Sequence, residues 1–169
     1  MLSIEERPAE VEDRTVPGHW EGDLILGKYK RSALGTLVER TTRYTILVPL
    51  GDKKDAESVR IAYAEAFKSV PEALKRSLTY DQGKEMSQHE KFTIDSGIQV
   101  YFAHPSSPWE RGTNENTNGL VRQYFPKGTD FTQVTEERIK EVQDLLNDRP
   151  RAVLNYYKPD EVFNKLVAL

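Results

Sequence analysis

Two β-rich runs, Leu34 to Arg40 and Tyr44 to Leu50, are separated by only three polar residues, Thr41-Thr42-Arg43. So short a gap makes the pair an antiparallel hairpin. A third β-rich run, Trp20 to Leu26, precedes them, and the chain therefore opens on a three-stranded meander. After residue 55 the apolar period changes from two to that of a helix. Val59, Tyr63, Ala66, Phe67 and Val70 recur at three- and four-residue spacing behind a capping Asp55, which predicts an amphipathic helix over 55–70 ended by Pro71. A short strand, Ser77 to Asp81, comes next. A helix opening on a Ser87/Glu90 capping box and stopping at Gly97 follows, and then a strand from Ile98 to Ala103. Right-handed crossovers lay the fourth strand parallel to the first, so the expected architecture is α/β: a five-stranded mixed sheet flanked by helices on both faces.

Two further helices are expected. One, from Glu110 to about Tyr124, has poor intrinsic propensity, with Gly112, Gly119 and several Asn. Each interior Gly costs roughly 1 kcal/mol relative to Ala, so something other than helix stability selects these residues. Gly119 is expected to let this face approach another backbone closely. The other helix runs from Thr135 to Asn147 with Ile139, Val142, Leu145 and Leu146 on one face, and Asp148-Arg149-Pro150 breaks it.

A chain of 169 residues suits one compact domain. Residues 1–16, rich in Glu, Arg and Pro, read as a lead or interdomain linker, and residues 17–169 as the domain. Absence of cysteine excludes disulfides and thiolate zinc sites and suits a reducing, cytoplasmic setting. No stretch approaches the roughly 20 apolar residues of a membrane span. A net charge of -3 argues against a surface devoted as a whole to coating nucleic acid, so any DNA contact must be local.

Within this frame three carboxylates stand in small polar breaks. Asp23 interrupts Trp20-Glu21-Gly22-Asp23-Leu24-Ile25-Leu26, Asp81 closes Leu78-Thr79-Tyr80-Asp81, and Glu115 sits in Arg111-Gly112-Thr113-Asn114-Glu115-Asn116. Adjacent parallel strands bring Asp23 and Asp81 together. Three such acids suit a cage for divalent cations, which can clamp the attacking and leaving oxygens of an in-line phosphoryl transfer. Arg122, about two turns after Glu115, falls on the same helix face as Asn118 and Gly119. Glu21 shares a strand face with Asp23 and is read as an ion-pair partner for a neighbouring Lys or Arg. His19, His89 and His104 lack zinc-ligand spacing. Lys28-Tyr29-Lys30-Arg31 is a basic turn with an inserted aromatic, equally readable as a solvated tip or as a phosphate contact.

The segments Gly18-His19-Trp20-Glu21-Gly22-Asp23-Leu24-Ile25, Tyr80-Asp81-Gln82-Gly83-Lys84-Glu85, Tyr101-Phe102-Ala103-His104-Pro105 and Ser107-Pro108-Trp109-Glu110-Arg111-Gly112-Thr113-Asn114-Glu115-Asn116 resemble the catalytic core of bacterial insertion-sequence transposases. The run Phe125-Pro126-Lys127-Gly128-Thr129-Asp130-Phe131 and Asn147-Asp148-Arg149-Pro150-Arg151 extend the likeness. The family is the insertion-sequence-thirty family of the DDE superfamily. One departure is Gln82, where the family commonly has Asn.

The resemblance implies a ribonuclease-H-like fold, an integrase-core domain, and metal-dependent DNA strand cleavage and strand transfer at the inverted-repeat ends of an insertion sequence. It makes Asp23, Asp81 and Glu115 both catalytic residues and ligands of Mg²⁺ or Mn²⁺, two ions per active site in the DNA-bound state. It also implies double-stranded DNA, element ends and target, as partner, with self-association in the active complex. Arg122, Arg111, Asn118, Lys127 and Lys28 are the residues expected on DNA. The alternatives are an inactive, domesticated DNA-binding or assembly module and a carboxylate-pair glycosidase.

Overall fold

The structure is a computed structural model, and it describes residues 2–3, 7, 16–80, 92–93, 96–102 and 112–168, the side chains of 112–115 excepted. Its strands are β1 (Leu2–Ser3), β2 (His19–Leu26), β3 (Ala33–Glu39), β4 (Thr45–Gly51), β5 (Ser77–Tyr80) and β6 (Gln99–Phe102). Its helices are α1 (Ala56–Phe67), α2 (Gly112–Tyr124), α3 (Glu136–Asn147) and α4 (Pro159–Val167). The strands form one mixed sheet in the order β1-β6-β5-β2-β3-β4. The meander is antiparallel, and β2 pairs parallel with β5 from His19↔Ser77 to Glu21↔Thr79.

Side-chain alternation along β2 feeds two cores. Trp20 goes to one face, fully buried, with its ring edge-on to Phe67 of α1 at 5.2 Å and to Phe163 of α4 at 6.1 Å. Ile25 goes to the other, where it joins Leu34 and Leu47 under Val121 and Phe125 of α2 and Ile139, Val142 and Leu146 of α3. Burial of each such side chain contributes about 1.5–3 kcal/mol. Asp23 has the parity of Ile25 and therefore faces the α2 side.

Local signals act as expected in most elements. Asp55 caps α1, accepting the Ser58 N–H at 3.1 Å, and Thr135 caps α3 by accepting from Arg138 N–H at 3.1 Å. Gly97 takes a left-handed φ of 77° and its N–H closes on the Thr93 carbonyl, which ends the helical residues before β6. The Ser87/Glu90 capping box lies outside the described residues.

Four features differ from expectation. Among the described residues the sheet has six strands, because Leu2–Ser3 pairs parallel with β6 and extends the edge. Two residues are too few to show an alternating pattern. Helix α4 is additional: Pro159 at its first turn, followed by Asp160 and Glu161, is its start signal, and Phe163 stacks on Tyr44 at 4.1 Å. Gly119 is exposed and a Cβ there would meet nothing within 4 Å among the described residues, so none of them requires a glycine at this position.

The fourth difference is on α3. Leu145 is 43% exposed, whereas Gln143 and Asn147 are buried. The reason is the sheet edge. Among the described residues strand β4 has no strand beyond it, and its outward N–H groups need acceptors. Thr45 N–H donates to Asn147 Oδ1 at 2.8 Å and Leu47 N–H to Gln143 Oε1 at 2.9 Å, while Asn147 Nδ2 donates to the Thr45 carbonyl at 2.8 Å. The next outward residue is Pro49, which has no N–H. Two side-chain amides and a proline thus close the edge.

Replacing Asn147 by Ala removes both bonds at Thr45 from a buried site. The expected cost is about 2 kcal/mol, or a Tm lower by roughly 4–8 °C in thermal unfolding followed by circular dichroism. An unchanged Tm would show that the edge is satisfied without the amide.

Candidate functional site

Asp23 lies mid-strand in β2, opposite Thr36 of β3, and is half-buried. Its backbone and its carboxylate are both held. From the α1 side, the buried Tyr63 donates its hydroxyl to the Asp23 carbonyl at 2.7 Å. The ring reaches across β3 because residue 35 is glycine: a Cβ there would stand 2.6 Å from the Tyr63 ring. From the α2 side, Asn118 Nδ2 donates to Asp23 Oδ2 at 3.0 Å, and the Leu24 N–H donates to Oδ1 at 2.8 Å. The Thr36 hydroxyl lies between the Asp23 carbonyl at 3.5 Å and Asn118 Oδ1 at 3.4 Å and can donate to either. The carboxylate is therefore presented in a fixed direction, with an N–H donated to each of its oxygens.

The neighbouring polar residues are committed elsewhere. Glu21, fully buried and two residues before Asp23, is ion-paired with the equally inaccessible Arg40 at 2.5 Å, as its reading as an ion-pair partner anticipated. His19 Nδ1 and Ser77 Oγ share a hydrogen bond of 2.7 Å across the β2–β5 pair. Glu39 accepts N–H donors from Gly18, Thr41 and Thr42, which ties the start of β2 to the β3–β4 turn.

Helix α2 is fastened to β2 a second time by Arg122. Its Nη2 donates to the Leu26 carbonyl at 2.9 Å and its Nη1 to the Phe125 carbonyl at 3.5 Å. Burial pushes the guanidinium pKa down. One edge of this side chain is thus anchored at the end of β2. Lys28 stands exposed in the β2–β3 turn, and Lys127 is exposed just beyond α2. Arg111 and Asp81 lie outside the described residues, as does the side chain of Glu115, whose backbone is helical in α2. Among the described residues no three acidic or histidine side chains come together to hold a metal.

Sequence reasoning passed over Tyr63 and Thr36. Tyr63 was legible only as an apolar-face residue, yet a buried Tyr hydroxyl requires a partner, and a Gly inside a strand marks a close approach. Together those two signals pointed at β3 and beyond it to β2. Asn118, expected on DNA, donates its amide nitrogen to Asp23 Oδ2, a contact the sequence did not reveal.

Comparison with known proteins follows the same lines. An integrase core domain model matches residues 13–108, more than half of the 169-residue chain. A transposase for insertion sequence element IS1086 from Cupriavidus metallidurans is 48% identical over 99% of this chain and 49% of its own length. Transposase InsI for insertion sequence element IS30A of Escherichia coli K12 is 49% identical over 98% of the chain and 43% of its own length. The chain spans about half the length of the curated relatives it matches. Among solved structures, a simian T-cell lymphotropic virus intasome in complex with PP2A regulatory subunit B56 gamma aligns with a TM-score of 0.60 over 78% of this chain and 49% of that chain, at 18% identity. That likeness is one of fold, consistent with the ribonuclease-H-like expectation. With a matching family model over more than half its length and insertion-sequence transposases as near relatives along almost all of it, the chain belongs to the integrase core family.

Proposed function

We propose that this chain is the catalytic domain of an insertion-sequence transposase, cutting DNA strands at the element's inverted-repeat ends and joining them to a target. Residues 17–169 carry the catalytic unit, and the lead before them adds Leu2–Ser3 to the edge of its sheet. The observation that carries the reading is the clamped Asp23 carboxylate, tied by Asn118 to the helix whose backbone includes Glu115.

Two continuities support a shared site. Asp81 directly follows Tyr80, the last residue of β5, which lies beside β2, and consecutive Cα atoms are about 3.8 Å apart. Glu115 precedes Asn118 by three positions, close to one helical turn, and such positions are neighbours on a helix surface. Asp23, Asp81 and Glu115 are all carboxylate oxygen donors, the ligand type that a hard divalent cation such as Mg²⁺ or Mn²⁺ prefers. When bound, two such ions supply charge neutralisation at the scissile phosphate and acidify the attacking hydroxyl. The chain's own part is to keep the carboxylates in place: Tyr63 and Thr36 fix the strand, Asn118 fixes the direction of the Asp23 carboxylate, and Arg122 holds the helix against the strand.

Arg111, Lys127 and Lys28 contact DNA phosphates in this reading, as do Asn118 and Arg122 through hydrogen-bonding capacity left by their internal bonds. Joining two element ends requires at least two such domains in one complex, acting in the bacterial cytoplasm. No helix among the described residues is long and apolar enough to cross a membrane. The inactive alternative is disfavoured by the retention of all three acids in the sequence.

The test is nicking of a labelled oligonucleotide duplex bearing element-end sequence, with Mg²⁺ or Mn²⁺. Asp23→Asn, Asp81→Asn and Glu115→Gln are each expected to lower the rate at least about a thousandfold, on the order of 4 kcal/mol, with Tm nearly unchanged. Wild-type rates in any of them, or cutting that persists in EDTA, would remove that residue or the metal from the mechanism. Asn118→Ala is expected to retain activity at a rate about 10- to 100-fold lower, with a higher metal concentration needed for half-maximal rate. A reduced rate with no change in metal dependence would place Asn118 on DNA instead.

A further inference from the structure

The turn between β2 and β3 is built in an unusual way. Tyr29 and Lys30 are consecutive residues with left-handed backbone, φ 54° and 57°, and the Arg31 N–H closes the turn on the Lys28 carbonyl at 3.1 Å. Two central residues with positive φ are the pattern of a type I′ hairpin turn, where Asn-Gly or Gly-Gly fits without strain. A tyrosine and a lysine are strained there. Strained residues persist where the surroundings over-determine them, and such sites cluster where side chains act on a ligand.

The surroundings do over-determine this turn. Gly27 N–H bonds the Ser32 carbonyl at 2.8 Å, Lys28 N–H the Thr129 carbonyl at 2.8 Å, and Lys54 Nζ the Lys30 carbonyl. A Cβ on Gly27 would stand 2.2 Å from Ser32 Oγ and 2.6 Å from the Thr129 carbonyl oxygen, so the turn is pressed onto the loop that follows α2. Ser32 Oγ also accepts the Phe131 N–H at 3.0 Å. The result is a rigid projection with Tyr29, 76% exposed, at its tip. Lys28 Nζ lies 5.4 Å and the Arg31 guanidinium 5.6 Å from the ring centroid. Lys127 is exposed in the loop after α2, and Asp130, in that loop, is close enough to Lys28 to feel its charge.

An exposed aromatic ring flanked by cations, held rigidly, is the combination that binds single-stranded nucleic acid: the ring stacks on a base while the cations meet phosphates. The projection leaves β2 at Leu26, three residues beyond Asp23, where Arg122 of α2 is also anchored. We infer that Tyr29 stacks on an unpaired base of DNA bound at the Asp23 site, with Lys28 and Arg31 on the flanking phosphates. This rests on the proposed action on DNA, and it adds a binding residue that none of the carboxylates supplies.

Tyr29→Gly separates the roles, because glycine relieves the backbone strain while deleting the ring. Binding of a fluorescein-labelled duplex with a single-stranded tail is followed by anisotropy in EDTA, so that no cutting intervenes. The expected result is affinity lower by about tenfold with Tm unchanged or higher, restored by Tyr29→Trp. Lys28→Ala should reduce the slope of log affinity against log salt by about one. Unaltered affinity in Tyr29→Gly, or no measurable binding by the wild-type chain, would overturn the inference. Wild-type binding that depends on Tyr29 without any metal-dependent cutting would sink the catalytic reading and leave this one standing.

Discussion

The structure depends on strand β2 being bonded on both edges while its two faces do different work. Its parallel partner β5 and antiparallel partner β3 leave no freedom to shift register, since a slip of one residue would send Trp20 to the wrong side and Asp23 into the aromatic core. One face buries an aromatic cluster under α1 and α4. The other carries a buried ion pair at Glu21, a half-buried carboxylate at Asp23 and an apolar contact at Ile25.

Constraint on Asp23 comes from both sides of the sheet. Tyr63 and Thr36 hold its carbonyl, while Leu24 N–H and Asn118 hold its carboxylate. A ligand oriented in advance by neighbours loses less entropy when a cation or substrate arrives. The same helix that orients Asp23 includes Glu115, and Arg122 pins that helix to the strand end. The low helix propensity of Gly112–Tyr124 follows in part: Asn118 is there for the strand it contacts and not for the helix that contains it.

Legibility in the sequence varied with the kind of force. The hairpin, α1 and α3 were readable because apolar periodicity and caps are local, and Glu21's ion pair because a buried strand carboxylate demands a cation. Strand β1 was hidden, two residues being too short for any period. Leu145 was misplaced for a different reason: the apolar pattern of α3 was read without knowing that its neighbour is a sheet edge. There the strand requires amides, so Gln143 and Asn147 turn inward and Leu145 turns out. Tyr63 and Asn118 were visible as residues but not as partners of Asp23, because contacts over 40 and 95 positions leave no local trace.

What remains central is that Asp23, Asp81 and Glu115 converge on shared cations. Crystals of the chain soaked in MnCl₂ and read for anomalous scattering address this directly. The expected result is manganese bound to an Asp23 carboxylate oxygen and to a carboxylate of Asp81 or Glu115. An ordered site in which Asp81 and Glu115 point away from Asp23, with manganese bound elsewhere or nowhere, would contradict it.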